Sequence, residues 1–218
     1  MTGTKGPASG SAPGPGGTVR VLLAEDQSMV REALAALLGL EPDIEVVAQA
    51  ARGDEVLAAA RAHAVDVALL DIEMPGGTGI EAAAELRAEL PEVKVVVLTT
   101  FGRPGYLRSA MEAGAVAFLV KDAPAAQLAD AVRRVLAGER VIDPTLAAAA
   151  LAEGANPLTD REREVLRAAA DGATNAELAA ALHLSQGTVR NYLSTAIQKL
   201  AARNRADAVR VARDKGWL

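Results

Sequence analysis

The chain of 218 residues contains no cysteine and only two histidines, His63 and His183. The lack of cysteine excludes disulfide bonds, thiolate chemistry and cysteine-based zinc sites. Two isolated histidines argue against a histidine-based metal site and against a Ser-His-Asp triad. No apolar run approaches the roughly 20 residues that a transmembrane helix needs, and residues 1–17 lack a signal-peptide core. We therefore expect a cytoplasmic protein without membrane insertion, with a disordered tail over residues 1–17.

Charge is distributed unevenly along the chain. The net charge is −5, but residues 156–218 carry ten basic against seven acidic side chains, which leaves −8 for the preceding residues. An acidic first part and a basic last part indicate different partners. We expect a cation to bind the first part and a polyanion to bind the second.

Short apolar segments alternate with Ala- and Leu-rich amphipathic segments between residues 18 and 140. The pattern predicts strands over 19–24, 44–48, 65–70, 93–98 and 116–120, and helices over 28–39, 54–62, 78–89, 104–113 and 124–137. This alternation predicts an α/β fold, a (βα)5 doubly wound parallel sheet. Residues 141–155 show no strand signal and are interpreted as a linker, partly helical through its alanines.

The last block, residues 156–218, has no strand pattern but carries repeated helix-capping signatures. Thr159 is followed by Glu162, and Thr174 by Glu177, each in the spacing of a capping box. Ser185 is a suitable N-cap for the helix that follows it. These signatures predict a four-helix all-α domain, with helices over about 160–171, 175–182, 186–200 and 205–215.

Polar side chains stand at the ends of four predicted strands. Glu25 and Asp26 follow the first strand, Asp71 the third, Thr99 the fourth and Lys121 the fifth. Because the carboxyl ends of parallel strands open on one edge of a sheet, these groups are predicted to converge. A single strand-end carboxylate often only caps a helix N-terminus. For all four strand ends together, capping alone is the less favoured explanation.

The converging groups suit a divalent metal and a phosphoryl group. Carboxylate oxygens of Asp26 and Asp71 are hard ligands for Mg2+, and Glu25 could act through water. A remaining oxygen of Asp71 could attack a phosphoryl group and form an acyl phosphate. Lys121 and Thr99 would then contact the phosphoryl oxygens. These residues predict a magnesium-dependent phosphoacceptor site.

The helix predicted over residues 186–200 has an apolar stripe on one face and polar side chains on the other. The polar face includes Arg190 and Asn191, which can read guanine and adenine in the major groove. A shorter helix and a turn precede it, which is the arrangement of a helix-turn-helix. The alternative is a small helical bundle with a solvated polar face. The basic balance of this block favours nucleic-acid binding.

The acidic site resembles the receiver domain of two-component response regulators, and the resemblance covers residues 18–140. The matching segments are 23–27, 70–76, 98–101 and 118–122. The resemblance implies that Asp71 accepts phosphate from a sensor histidine kinase. It further implies these roles: Mg2+ ligation by Glu25, Asp26, Asp71 and the backbone carbonyl of Glu73, a switch formed by Thr99 and Phe118, and contact of Lys121 with the phosphoryl group. On phosphorylation, Phe118 is expected to rotate inward; the alternative is that Phe118 is an ordinary core aromatic.

Residues 156–218 resemble the LuxR-type DNA-binding domain through segments 156–162, 175–179 and 187–193. The whole chain is similar to the NarL/FixJ class of response regulators, and most similar to its DesR-like branch. The resemblance implies base contacts by Arg190, Asn191 and Ser194, and DNA-backbone contacts by Thr174, Thr188 and Lys199. It also implies a homodimer on phosphorylation that binds promoter double-stranded DNA, with a dimer contact through the last helix. Ala201 departs from the glycine that commonly ends the recognition helix.

Two alternatives remain open. A regulator that binds DNA without phosphorylation would need only the basic block, although the acidic pocket is complete. A magnesium-dependent phosphohydrolase would use Asp71 as its nucleophile, as haloacid-dehalogenase-like enzymes do, but such a site calls for Asp-x-Asp and the second position here is Glu73. We expect that the protein is not an enzyme. As a phosphoacceptor, it would at most catalyse its own phosphorylation and dephosphorylation.

Overall fold

The structure is a computed structural model, and it describes residues 17–100, 104–153 and 156–218. The tail predicted over residues 1–17 lies outside the described residues except for Gly17, as do residues 154–155 of the predicted linker. The chain divides into two compact units, and their boundary after the sheet falls between Asp143 and Pro144. Of the described residues before that boundary, 104–109 are grouped with the second unit.

The first unit is built on a six-stranded parallel sheet. Its strands are β1 (Val19–Ala24), β2 (Ile44–Ala50), β3 (Val67–Asp71), β4 (Lys94–Thr99), β5 (Ala117–Val120) and β6 (Val141–Ile142), in the order β2-β1-β3-β4-β5-β6. The interleaved helices are α1 (Ser28–Leu38), α2 (Val56–His63), α3 (Gly79–Glu89), α4 (Pro104–Ala113) and α5 (Ala125–Leu136), with a 3-10 turn (Gly53–Glu55) before α2. The predicted doubly wound α/β fold is confirmed.

The central strands are buried on both faces because helices cover both. Val21, Leu23 and Leu69 point into an apolar cluster that includes residues of α1 and α5. The alternate residues, such as Leu22 and Phe118, are fully buried on the other face. Two buried faces explain why these strands read as continuous apolar runs in the sequence.

The sixth strand corrects the prediction that residues 141–155 contain no strand. Ala117 pairs with Val141 and Phe118 with Ile142 in parallel register. Two residues are too few to produce a strand pattern, so only the neighbouring β5 stabilises this extended conformation. The chain continues as α6 (Pro144–Glu153), which contains the alanine run.

The second unit contains the four predicted helices of the basic block. They are α7 (Asp160–Ala168), α8 (Asn175–Ala181), α9 (Gln186–Lys199) and α10 (Arg205–Asp214). A 3-10 turn (Ala169–Asp171) follows α7. Both predicted capping boxes form, and the Ser185 hydroxyl accepts a hydrogen bond from the Thr188 N–H at 3.0 Å. The all-α prediction is confirmed.

The exit of α9 shows how the chain accommodates Ala201. Its backbone has φ of 48°, the left-handed conformation that glycine adopts more easily. Alanine in the left-handed conformation lowers stability by about 1 kcal/mol relative to glycine. The helix nevertheless ends at the position where LuxR-type domains commonly have glycine.

The beginning and the end of the basic block are joined. The Asn156 side chain donates to the Trp217 carbonyl oxygen at 3.3 Å, and its own oxygen accepts from the Leu158 N–H at 2.9 Å. The Lys215 ammonium lies 4.8 Å from the centre of the Trp217 ring. Within the described part of the chain, no helix has both the length and the apolar character of a membrane span.

Candidate functional site

Three carboxylates meet at the carboxyl edge of the sheet. Glu25 and Asp26 follow β1, Asp71 ends β3, and one oxygen of each lies within 4.8 Å of the others. The strands β1 and β3 are neighbours with crossovers leading to opposite sides, which is where ligands bind in open α/β sheets. The structure therefore brings together the acids that the strand ends suggested.

Lys121 places a positive charge between two of these acids. Its ammonium lies 2.9 Å from Asp71 Oδ2 and also contacts Glu25 Oε2 directly. The Lys121 side chain is only 7 % exposed, so these ion pairs are shielded from water. The Lys121 N–H donates to the Thr99 carbonyl oxygen at 2.7 Å, which links the ends of β4 and β5.

The environment of Asp71 destabilises its charge. Burial raises the pKa of Asp71, and the nearby charge of Glu25 raises the pKa as well. The Lys121 ammonium and the Ile72 N–H, which donates to Asp71 Oδ1 at 2.7 Å, oppose this effect without cancelling it. A buried carboxylate that is incompletely neutralised favours a further cation.

The two carboxylate oxygens of Glu25 differ in their partners. Its Oε1 accepts from the Gln27 N–H at 3.2 Å, whereas its Oε2 is buried and makes no hydrogen bond within the described residues, apart from the Lys121 contact. Among the described residues, that oxygen is therefore paired with the Lys121 ammonium alone, and Lys121 shares its charge with Asp71. Three convergent carboxylates offer the hard oxygen ligands that Mg2+ prefers. The residues present therefore fit the ion.

Close backbone packing holds the loop that follows Asp71. The Gly53 N–H donates to the Pro75 carbonyl oxygen at 3.0 Å, and a Cβ at Gly53 would overlap the carbonyl oxygen of Gly77. A Cβ at Gly79 would overlap the carbonyl oxygen of Asp71 itself. Neither Gly53 nor Gly79 is recognisable from the sequence, because a requirement for close approach of the backbone leaves no periodic signal.

Three residues with predicted roles occupy different surroundings. Thr99 is buried at the end of β4, and the Glu73 side chain is exposed in the loop after β3, where its carbonyl remains a predicted metal ligand. Phe118 is fully buried in β5, between Val97 of β4 and Ile142 of β6. The ring of Phe118 is buried in the conformation that the structure shows, and the switch formed by Thr99 and Phe118 remains a prediction.

The polar face of α9 is open to solvent. Arg190, Asn191 and Ser194 are all exposed and lie one turn or less apart on the same face. The Arg190 guanidinium forms no hydrogen bond or ion pair with any residue that the structure describes. An unengaged guanidinium on such a face is available for a ligand.

The predicted DNA-backbone contacts have local structural partners. Thr174 caps α8, and the Thr188 hydroxyl lies 2.8 Å from that of Ser185. Lys199 donates to Glu162 Oε2 at 2.7 Å, and Glu162 is only 5 % exposed. This ion pair joins residues that are distant in sequence, so the sequence analysis missed it. The contacts of these residues with DNA remain predictions.

Two families of known proteins match the chain. Residues 21–133 match the response regulator receiver domain, and residues 156–212 match the bacterial regulatory proteins of the luxR family. The chain belongs to the NarL/FixJ class of response regulators. This regulator is a transcription factor that combines a receiver domain with a LuxR-type DNA-binding domain.

The similarity to known proteins extends over nearly the whole length of the regulator. The transcriptional regulatory protein DesR of Bacillus subtilis (strain 168) is 45 % identical over 200 residues, which cover 92 % of this chain and 99 % of DesR. The uncharacterized transcriptional regulatory protein YvfU of the same organism is 47 % identical, covering 92 % and 100 %. The crystal structure of the response regulator ChrA, from a heme-sensing two-component system, is 35 % identical with a TM-score of 0.56, covering 93 % of this chain and all of that one.

Proposed function

We propose that Asp71 is the phosphoacceptor of this regulator and that a sensor histidine kinase supplies the phosphoryl group. The observation that carries the proposal is the buried Asp71 carboxylate, which lies beside the Lys121 ammonium and within 4.8 Å of two further acids. One Asp71 oxygen attacks phosphorus, so that an O–P bond forms while the P–N bond to the kinase histidine breaks. The imidazole nitrogen keeps the electron pair, and Asp71 becomes an acyl phosphate.

Glu25, Asp26 and Asp71, with the carbonyl oxygen of Glu73, would hold Mg2+. When bound, the ion supplies positive charge against the phosphoryl oxygens. Lys121 supplies a second positive charge from its buried position beside Asp71. The buried Thr99 at the end of β4 would donate its hydroxyl to a phosphoryl oxygen.

The phosphorylated regulator would form a homodimer that binds promoter double-stranded DNA in the cytoplasm. Membership of the luxR family and the exposed Arg190 face support the DNA-binding part. Two copies of α9 could then read two half-sites, with Arg190, Asn191 and Ser194 toward the bases. The protein would act as a phosphoacceptor and not as an enzyme that turns over a separate substrate.

The test compares the full-length protein before and after treatment with acetyl phosphate and Mg2+. A double-stranded site is first selected from a random library with the treated protein. We expect the phosphoryl group to map to Asp71, the treated protein to elute as a dimer, and its affinity for the selected site to rise about tenfold. Equal affinity of both forms would instead favour regulation without phosphorylation. Repeated turnover of small phosphomonoesters would favour the phosphohydrolase.

Replacing Arg190 with alanine tests the reading face. We expect Arg190→Ala to weaken binding to the selected site by roughly 1–3 kcal/mol and to relax preference at one base position, because a lost guanidinium–base contact is specific. Fluorescence anisotropy with the selected and an unrelated duplex measures both effects. Arg161→Ala, an exposed arginine on α7, is the matched control. Unchanged affinity of Arg190→Ala for the selected site would remove Arg190 from the interface.

A further inference from the structure

Arg31 connects α1 to the acidic loop that precedes it. Its Nη1 lies 2.5 Å from the carbonyl oxygen of Glu25 and 3.4 Å from that of Asp26. The N-cap position, Gln27, makes no side-chain capping hydrogen bond. The guanidinium therefore reaches back over the start of α1 and fastens the loop at a point where the usual helix cap is missing.

Few other described bonds fix the peptide groups of this loop. The Glu25 N–H donates to the Ala50 carbonyl oxygen at 3.1 Å, which anchors the amide side of Glu25 to β2. The Glu25 carbonyl, on the side of Asp26, is held by Arg31. Asp26 is exposed, so packing does not fix its carboxylate, and Arg31 constrains the backbone from which that side chain projects.

Arg31 has two opposite effects on a cation at this site. Its positive charge repels a cation near the acids, whereas its hydrogen bonds hold the backbone that carries two mutually repelling carboxylates. The Glu25 contact is short and partly buried, and backbone bonds that orient metal ligands strongly affect metal affinity. The geometric effect should therefore exceed the repulsion, because the guanidinium points at carbonyl oxygens and engages neither carboxylate.

We propose that Arg31 is a positioning residue for the magnesium site, acting through the carbonyl groups of Glu25 and Asp26. This inference rests on the proposed function in one respect, namely that these acids bind Mg2+. Helix α1, through Arg31, would then fix the backbone positions of two metal-binding acids, which the carboxylates themselves cannot do. Arg31 should also affect ion affinity more than it affects the fold.

Calorimetric titration of the full-length protein with Mg2+ tests the proposal. We expect Arg31→Met to weaken Mg2+ binding about tenfold. Arg31→Lys keeps the charge but loses the planar fork, so it should also weaken binding, by a smaller factor. The matched control is Arg87→Met. Arg87 lies in the last turn of α3, and its Nη1 likewise donates to a carbonyl oxygen, that of Glu112, at 2.8 Å. The Mg2+ affinity of Arg87→Met should equal that of the wild type.

Thermal unfolding separates a positioning role from a general structural one. Arg31→Met loses a short bond to the Glu25 carbonyl and a long one to the Asp26 carbonyl, and Arg87→Met loses one bond to the Glu112 carbonyl. Because the long bond adds little, their melting temperatures should fall by similar amounts. Equal or tighter Mg2+ binding by Arg31→Met would overturn the proposal, and if that variant does not fold, unchanged binding by Arg31→Lys would do so. A wild type that binds Mg2+ but gains no label at Asp71 would overturn the phosphoacceptor assignment and leave the role of Arg31 intact.

Discussion

Asp71→Asn is expected to slow labelling by acetyl phosphate and Mg2+ by about a thousandfold or more, because an amide oxygen is a poor nucleophile and loss of a nucleophile is rarely compensated. The variant should also lose the phosphorylation-dependent gain in dimerisation and DNA affinity. Phosphate-affinity gel electrophoresis over a time course, followed by size-exclusion chromatography, measures both effects.

The same substitution should not destabilise the protein. Because the folded-state pKa of Asp71 is raised, its ionised form costs stability at neutral pH, and that cost grows as pH rises through the folded-state pKa. Asparagine removes this charge while Lys121 keeps its contact with Glu25. We expect the melting temperature at pH 7 to equal or exceed that of the wild type, so loss of labelling cannot be attributed to unfolding.

Asp122→Asn is the matched control for Asp71→Asn. Asp122 is an exposed aspartate next to Lys121 at the same edge of the sheet. Its variant should label at the wild-type rate. Persistent labelling of Asp71→Asn would show that the phosphoryl group resides elsewhere, and loss of labelling in Asp122→Asn would show that the pocket tolerates no change of charge at this edge.

Glu162→Ala is expected to destabilise the second unit by about 2–3 kcal/mol. Glu162 accepts from the Thr159 N–H at 2.7 Å and from the Lys199 ammonium at 2.7 Å. Removing it deletes the capping box of α7 and leaves Lys199, which is one-third exposed, without its partner. Thermal unfolding followed by the fluorescence of Trp217, the single tryptophan, reports on this unit because Trp217 packs against its core.

Glu177→Ala separates the two contributions of Glu162. Glu177 forms the same capping box with Thr174 on α8, but it is exposed and has no lysine partner in the described structure. Its loss should therefore lower stability less than the loss of Glu162. Equal losses in the two variants would show that the pair with Lys199 contributes nothing to stability.

The Glu162 contacts also predict the response of this unit to acid. Burial by itself would raise the pKa of Glu162, but the hydrogen bonds from Lys199 and Thr159 outweigh burial and hold this pKa below its ordinary value of 4.5. The stabilisation is therefore fully present above about pH 4.5 and is lost as pH falls through the lower folded-state pKa. Thermal unfolding followed by Trp217 fluorescence at a series of pH values below 4.5 should show a falling melting temperature in the wild type. The melting temperature of Glu162→Ala should depend less on pH.

The sheet and its acidic edge could be predicted because their determinants are local. Five strands buried on both faces leave apolar runs, and a carboxylate at the end of such a run is visible in the sequence. β6 was missed because two residues have no periodicity and depend on pairing with β5. The predicted helix over 54–62 likewise begins as a 3-10 turn, and α2 starts at Val56.

The remaining site features depend on contacts that residue types do not encode. Arg31 acts on carbonyl oxygens, which every residue possesses, so no pattern of side chains identifies it. Glu162 shows as a capping residue in the sequence, but its pairing with Lys199 arises only when α7 packs against α9. The inward position of Phe118 is also a consequence of packing, because an aromatic residue in a strand can face either way.

The ammonium that Glu25 and Asp71 share would set the valence of a cation bound at the proposed site. Three carboxylates against one ammonium leave two uncompensated negative charges. A single potassium or sodium ion would leave a residual negative charge beside the buried Glu25 and Asp71, whereas one doubly charged ion would bring the group to neutrality. If the proposed site holds an ion, discrimination against monovalent cations would therefore follow from the count of charged groups, before coordination geometry begins to act.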